Sequence, residues 1–373
     1  MELTLKNGVA QSLVPSEAQA DETLYLSDGF IDSHAHVYDG ATNLGVNVDR
    51  IGLKTGVHLV VDAGSSGAIN FPCFRDYVMP AHETPVKAFL NISTIGLVTK
   101  QPYHDRRTLD IRAAVDMIRQ DGGKHLLGIK VLSSGIIVED AGLEPIRTAF
   151  EAARECGAKV MAHLTEGPPC NEDTMALMGK GDIITHCFHG APNLEANRRA
   201  AKGKPLDMRY CSVDNVMWNP DGSPTAPLQK ALERGVYLDV GHGAGSFDSE
   251  VARSAIRAGV RNFSISTDAH IRNVDGSVRS LTHTMSKFLS LGMELESIVA
   301  SVTSIPARQL GLPDWGGDPL RCGTVFRVRP VRPDDPPFTD SWGTRMDVPN
   351  VIEPVAILRD QKWIELDKSA KDV

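Results

Sequence analysis

Two imidazoles separated by one small residue, His34 and His36 in FIDSHAHVYDG (30–40), are the first side chains with the chemistry to hold a metal ion. Alternate residues of a strand point the same way, so both rings can reach one point just beyond the strand's end. Imidazole is the commonest protein metal ligand. An HxH pair is also compatible with a purely structural strand, so the argument needs further ligands. Four more candidates sit in or just after apolar runs: Lys130 in LLGIKV, His163 in KVMAHL, His186 in DIITHC and Asp268 in NFSISTD. Lys130 is the most informative of them. A lysine inside an apolar run must reach solvent or lose its charge. The neutral amine can then add carbon dioxide, and the resulting carbamate is an anionic oxygen ligand able to bridge two ions.

The elements that must position these residues repeat along the chain. Eight apolar runs, FID (30–32), VHLVVDAG (57–64), VKAFLNIS (86–93), LLGIKV (126–131), KVMAHL (159–164), DIITHC (182–187), VYLDVG (236–241) and NFSISTD (262–268), alternate with helical patterns. The seven intervals from Phe30 to Asn262 average about 33 residues, near the roughly 31 per unit of a 250-residue barrel. Helices are expected over Arg112–Gln120, Glu144–Cys156 and Ser249–Ala258. Runs apolar on successive residues suit strands buried on both faces. The expectation is an α/β fold, a (β/α)8 TIM barrel over 28–312, with chemistry at the C-terminal strand ends. An open doubly wound sheet is the alternative, disfavoured because no GxGxxG follows the first strand. Residues 1–27, with an Asn7-Gly8 hairpin signal, and 313–373, with strand-like CGTVFRVRPV and EPVAILRDQKWIEL, are expected to form a small β domain.

Composition sets limits. The 373 residues are 42% hydrophobic and 23% charged, with a net charge of −8 and no basic block. Nucleic acid and an anionic membrane are therefore not expected as partners. The six cysteines, Cys73, Cys156, Cys170, Cys187, Cys211 and Cys322, contain no CxxC and read as reduced thiols of a cytoplasmic protein. No signal peptide or membrane span is expected.

HxH on the first strand, Lys on the fourth, His on the fifth and sixth and Asp on the eighth resemble the binuclear amidohydrolase superfamily. DAGSSGAINF (62–71), AHLTEGPP (162–169), THCFHG (185–190), DVGHGAGSF (239–247) and FSISTD (263–268) resemble its deacetylase-like group, often labelled dihydroorotase. The resemblance implies that His34, His36 and Asp268 bind one divalent ion and His163 and His186 a second. Carboxylated Lys130 would bridge the two ions, most simply zinc. It further implies a metal-bridging hydroxide, with Asp268 as catalytic base and then acid. The implied substrate is a small acylated amino or hydroxy acid, and self-association into a homo-oligomer is expected. His242, between Gly241 and Gly243, His270 and Arg272 are candidates for holding that substrate, Arg272 through a carboxylate. Ser65 and Ser66 are expected to shape a turn, and Cys187 to point away from the ligands.

The pattern also departs from its relatives. Dihydroorotases generally follow HxH with an arginine, whereas Val37 and Tyr38 stand here. A cyclic amide hydrolase is the nearest alternative. A mononuclear deaminase is the next, because Glu166 lies three residues after His163. A non-catalytic scaffold would be expected to have lost ligands. The loops at about 94–108, 187–223 and 269–280 are expected to choose the substrate.

Overall fold

The computed structural model describes residues 2–14, 23–190 and 217–366. Cys211, most of the 187–223 loop and the tail from Lys368 lie outside these residues.

All eight apolar runs form strands of one parallel sheet: β4 (Phe30–Ala35), β5 (Val57–Gly67), β6 (Val86–Asn91), β7 (Leu126–Ser133), β8 (Lys159–Leu164), β9 (Ile183–Thr185), β10 (Tyr237–Asp239) and β11 (Phe263–Ser264). Neighbours follow chain order, as in a (β/α)8 barrel. Every residue of β4 and β5 is buried, which is why these runs lack hydrophobic alternation. The ring closes just past the ends of β4 and β11. There Ala35 bridges Ala269, the Asp268 amide donates to the His34 carbonyl at 2.6 Å, and the His36 amide donates to Ala269 at 2.9 Å. Closure and the metal-ligand candidates thus share one stretch of backbone.

The expected helices are present at Ile111–Asp121, Glu144–Cys156 and Ser249–Arg257. Asp110 and Asp248 cap the first and last by accepting from backbone amides of the opening turn, a contact worth about 0.5–2 kcal/mol each. The barrel's interior is filled by Ile31, Leu59, Val61, Phe89, Met161 and Ile183, closed from below by Ala307 and Leu310. With a side-chain period of two, His163 lies on the same face as Met161, one layer nearer the rim.

A second sheet gathers both chain ends. Its antiparallel order is β1 (Glu2–Lys6), β2 (Val9–Val14), β14 (Lys362–Glu365), β13 (Asn350–Arg359), β12 (Cys322–Pro330) and β3 (Tyr25–Asp28). The Asn7-Gly8 turn has φ of 53° and 76°, as a tight hairpin requires. Between β12 and β13 the chain leaves this sheet and reaches the barrel. Ser341 exchanges hydrogen bonds with Phe247, and Asp340 accepts from the Ser249 hydroxyl. The sequence shows only Pro-rich loop there.

Candidate active site

The rim of the barrel gathers the six ligand candidates from five strands. Among the described residues, His34, His36 and Asp268 have ligand atoms within 4.8 Å of one another. Nε2 of His34 lies 3.4 Å and Nε2 of His36 3.2 Å from Asp268 Oδ1. On the other side, the His163 and His186 rings meet edge-on at 4.2 Å, and His186 is 5.1 Å from His34. Lys130 is buried, in parallel register with Asn91 of β6 and Met161 of β8.

Each imidazole has one nitrogen held by the protein, leaving the other for a ligand. His34 Nδ1 meets Thr185 Oγ1 at 2.8 Å and Asp239 at 3.4 Å, and His36 Nδ1 meets Ser65 Oγ at 2.9 Å. His186 Nδ1 donates to Gly241 O at 2.7 Å, and His163 Nε2 meets Thr165 Oγ1 at 2.8 Å. Such contacts orient metal-ligating histidines in general. Burial lowers the pKa of His34 and His163 and takes His186 down to about 3, so these rings are neutral at pH 7, the ligating form. Burial alone would raise the Asp268 carboxyl, but the neighbouring His34 and His36 hold it well below its ordinary value.

Two polar atoms at this rim are buried with no hydrogen-bond partner: Lys130 Nζ and Asp268 Oδ1. Buried polar groups are rarely left so. Burial takes the Lys130 amine down to about 8, against the pull of Asp268, Asp239 and Asp62. The donor set, neutral imidazoles with carboxylate oxygen, suits divalent cations and zinc in particular. The backbone is strained at the same place. His186 and Asp268 have φ of 66° and 48°, costing about 1–3 kcal/mol each. Gly243, at φ 58°, passes so close that a Cβ there would lie 2.4 Å from Asp268 Oδ2. Gly64 makes the matching approach to Lys130, at 2.5 Å from its Cβ.

Some expectations change. Ser65 does more than shape a turn: β5 continues through it, and its hydroxyl holds His36. His242 is fully buried, stacked on Phe247 at 4.6 Å, with Nε2 2.8 Å from Lys287 Nζ and Nδ1 3.0 Å from Gly243 O. Both its nitrogens are engaged, which leaves neither for a substrate. His270 is buried beside the rim, and its Nδ1 accepts from the Arg272 amide at 3.2 Å. Arg272 itself is exposed and bonds Asn43 Oδ1 at 3.1 Å. Glu166 accepts from the Ser134 hydroxyl and lies 4.0 Å from His189 Nε2. Cys187 is buried in the apolar layer outside the barrel, off the ligand set.

Sequence reasoning missed a layer of three buried carboxylates beneath the ligands. Asp239 accepts from Ser33, Thr185 and Ser264 and is held at about 2; burial opposes this, and His34 and the hydroxyls outweigh it. Asp62 accepts from the amides of Val37 and Ser65, and Asp32 from the Thr267 amide. The signal was present: each carboxylate interrupts an apolar run, in FID, VVDAG and YLDVG.

Comparisons with known proteins establish the family. The amidohydrolase family profile matches residues 25–317. The chain belongs to the amidohydrolase family. This amidohydrolase is 32% identical over 333 residues to a deacetylase of Agrobacterium fabrum, covering 88% of this chain and 76% of that one. It is 31% identical to a deacetylase of Enterococcus faecalis, covering 89% and 84%. Among solved structures, it resembles a dihydroorotase (TM-score 0.78, 31% identity, 91% and 88% covered) and an adenine deaminase (TM-score 0.79, 28% identity, 97% and 95% covered). The amidohydrolase is thus a metal-dependent hydrolase of amide bonds, built on a TIM barrel. None of its described helices is long and apolar enough to cross a membrane.

Proposed function

We propose that this amidohydrolase cleaves the amide or ester bond of a small acetylated amino or hydroxy acid. The observation that carries the reading is the buried, unpartnered Lys130 amine, which feels the charge of Asp268 in the His-His-Asp group and is felt by His163 and His186. His34, His36 and Asp268 would hold one divalent ion, His163 and His186 the second, and a Lys130 carbamate would join them. The amine reaches its neutral, carbon dioxide-reactive form near pH 8. Bound ions, most simply zinc, would supply polarisation of the acyl carbonyl and would lower the pKa of water toward about 7.

The chain's own residues do the rest. Asp268, ionised at neutral pH, accepts the proton of the attacking water and returns it to the leaving amine or alcohol. Ser65, Thr185, Asp239 and the Gly241 carbonyl keep the rings aimed while charge shifts at the rim. Arg272, exposed next to His270, is the candidate grip for a substrate carboxylate. The deacetylases at 31–32% identity support an acetyl group. The dihydroorotase neighbour supports a cyclic amide as the second reading, although Val37-Tyr38 stands here where dihydroorotases generally carry an arginine after HxH.

The test is a screen of metal-replete protein against N-acetyl amino acids of both hands, O-acetyl hydroxy acids, small lactams and aminopurines, with bound metal counted. Acetate release that chelation abolishes, with two ions per chain, is the expected result. Ring opening alone selects the cyclic amide. Ammonia release with a single ion overturns the binuclear reading and makes the protein a deaminase.

A further inference from the structure

A cavity of about 330 Å³ lies between the barrel and the terminal sheet, and none of the rim ligands lines it. One side is the chain following Asp268, from Val274 to Ser286; the other is formed by β12, β13 and the Pro-rich segment between them. Its volume is at the lower end of the range for small-molecule sites.

The charges lining it are unevenly matched. Arg50 pairs with Asp275 at 2.8 Å, and Arg329 pairs with Asp335 at 2.7 Å and with Glu353 at 3.1 Å. These are the three carboxylates in the wall, and all are committed. Lys54 and Arg279 line the same space with no carboxylate within 4.0 Å among the described residues. Arg279 is held at φ 59°, a conformation that residues bearing a side chain adopt rarely. Its Nε is buried without a hydrogen-bond partner, and so is Nε2 of His283, a residue only 8% exposed. Two orphaned nitrogens in one cavity wall call for an explanation. The His283 ring is fixed flat against Phe338, with centroids 4.2 Å apart and planes at 7°. Val274, Phe338, Val351 and Ile352 supply an apolar part of the lining, and Thr55, Ser280, Thr282 and Ser286 add hydroxyl-bearing side chains.

We propose that this cavity binds a small organic anion, with a carboxylate or phosphate head held by Arg279 and Lys54 and an apolar body against Phe338 and Ile352. A guanidinium takes either head group through two parallel hydrogen bonds, and an ammonium adds a point charge. The apolar part of the lining favours an acid with a carbon body over a bare inorganic ion.

The experiment uses metal-replete, full-length protein and 4-bromobenzoate. Bromine anomalous scattering in soaked crystals should place the probe against Phe338 in the cavity. Calorimetric titration should show binding that R279Q weakens roughly tenfold to a hundredfold, the worth of a charged hydrogen bond. R279K should fall between. K54Q, at a residue without backbone strain, should weaken binding independently of any folding defect in the Arg279 variants. Phenyl phosphate that displaces the probe in an Arg279-dependent way identifies phosphate as an accepted head; failure to displace it selects the carboxylate, and both keep the anion site. Bromine found only at the metal rim, or affinity unchanged in R279Q and K54Q, overturns the proposal. So does binding seen only at soaking concentration.

Discussion

Two lysines are fully buried in this barrel, and their surroundings could hardly differ more. Lys130, on β7 at the rim, has an amine with no hydrogen-bond partner. Lys287, on the helix Leu281–Ser290, donates to Ser277 O at 2.6 Å and lies 2.8 Å from His242 Nε2. Burial lowers both, to about 8 and about 7. Desolvation therefore makes an amine available but does not give it work. Lys287 is saturated by a carbonyl and a ring and ties the 242–249 loop to the helix after β11. Lys130 is left open within electrostatic reach of Asp268, His163 and His186. The difference teaches that reactivity follows from what a buried amine lacks rather than from burial itself.

The sharpest way to break this contrast is to remove each amine in turn. Lys130→Ala should reduce hydrolysis to background and lower bound metal from two ions per chain to one, whereas Lys287→Met should keep both ions. Metal analysis showing equal loss in both variants would erase the distinction. Asp268→Asn should follow in size, lowering kcat by about 10²–10⁴, the usual worth of a positioned general base. Asp239→Asn, which removes the carboxylate behind His34, should weaken metal affinity about 10–100-fold, measured by chelator competition.

The smallest effect is on stability. The folded pKa of Lys287, about 7, lies below its ordinary value of 10.5, so between these values the unfolded chain binds more protons. This residue's contribution to stability must therefore rise with pH across that window and be least favourable below it. Urea titrations from pH 7 to 10 should show a shallower slope in Lys287→Met than in the parent. An unchanged slope would mean that Lys287 stays charged when folded.

Much of the fold was readable from spacing. The eight apolar runs and the helices between them follow from burial on both faces and from amphipathic periodicity, both local properties of the chain. The rim residues were legible for the same reason: a histidine, lysine or aspartate ending an apolar run has few other places to go. His242 misled because flanking glycines suggested open space, whereas its ring stacks on Phe247 and faces a lysine 45 positions away. Arg279 and His283 offered no signal, since their cavity needs strands from the far end of the chain.

By itself, then, the sequence determined the strand count, the order of the rim residues along the ring and the chemical character of the set, because each depends on neighbours a few positions apart. Only the tertiary structure decided which nitrogen of each imidazole faces inward, which buried amine stays unpartnered, and that the terminal sheet and the barrel together line a cavity away from the rim. Those outcomes depend on hydrogen bonds and close approaches between residues tens to hundreds of positions apart, such as Asp239 with His34 and Ser341 with Phe247, and no local pattern encodes them.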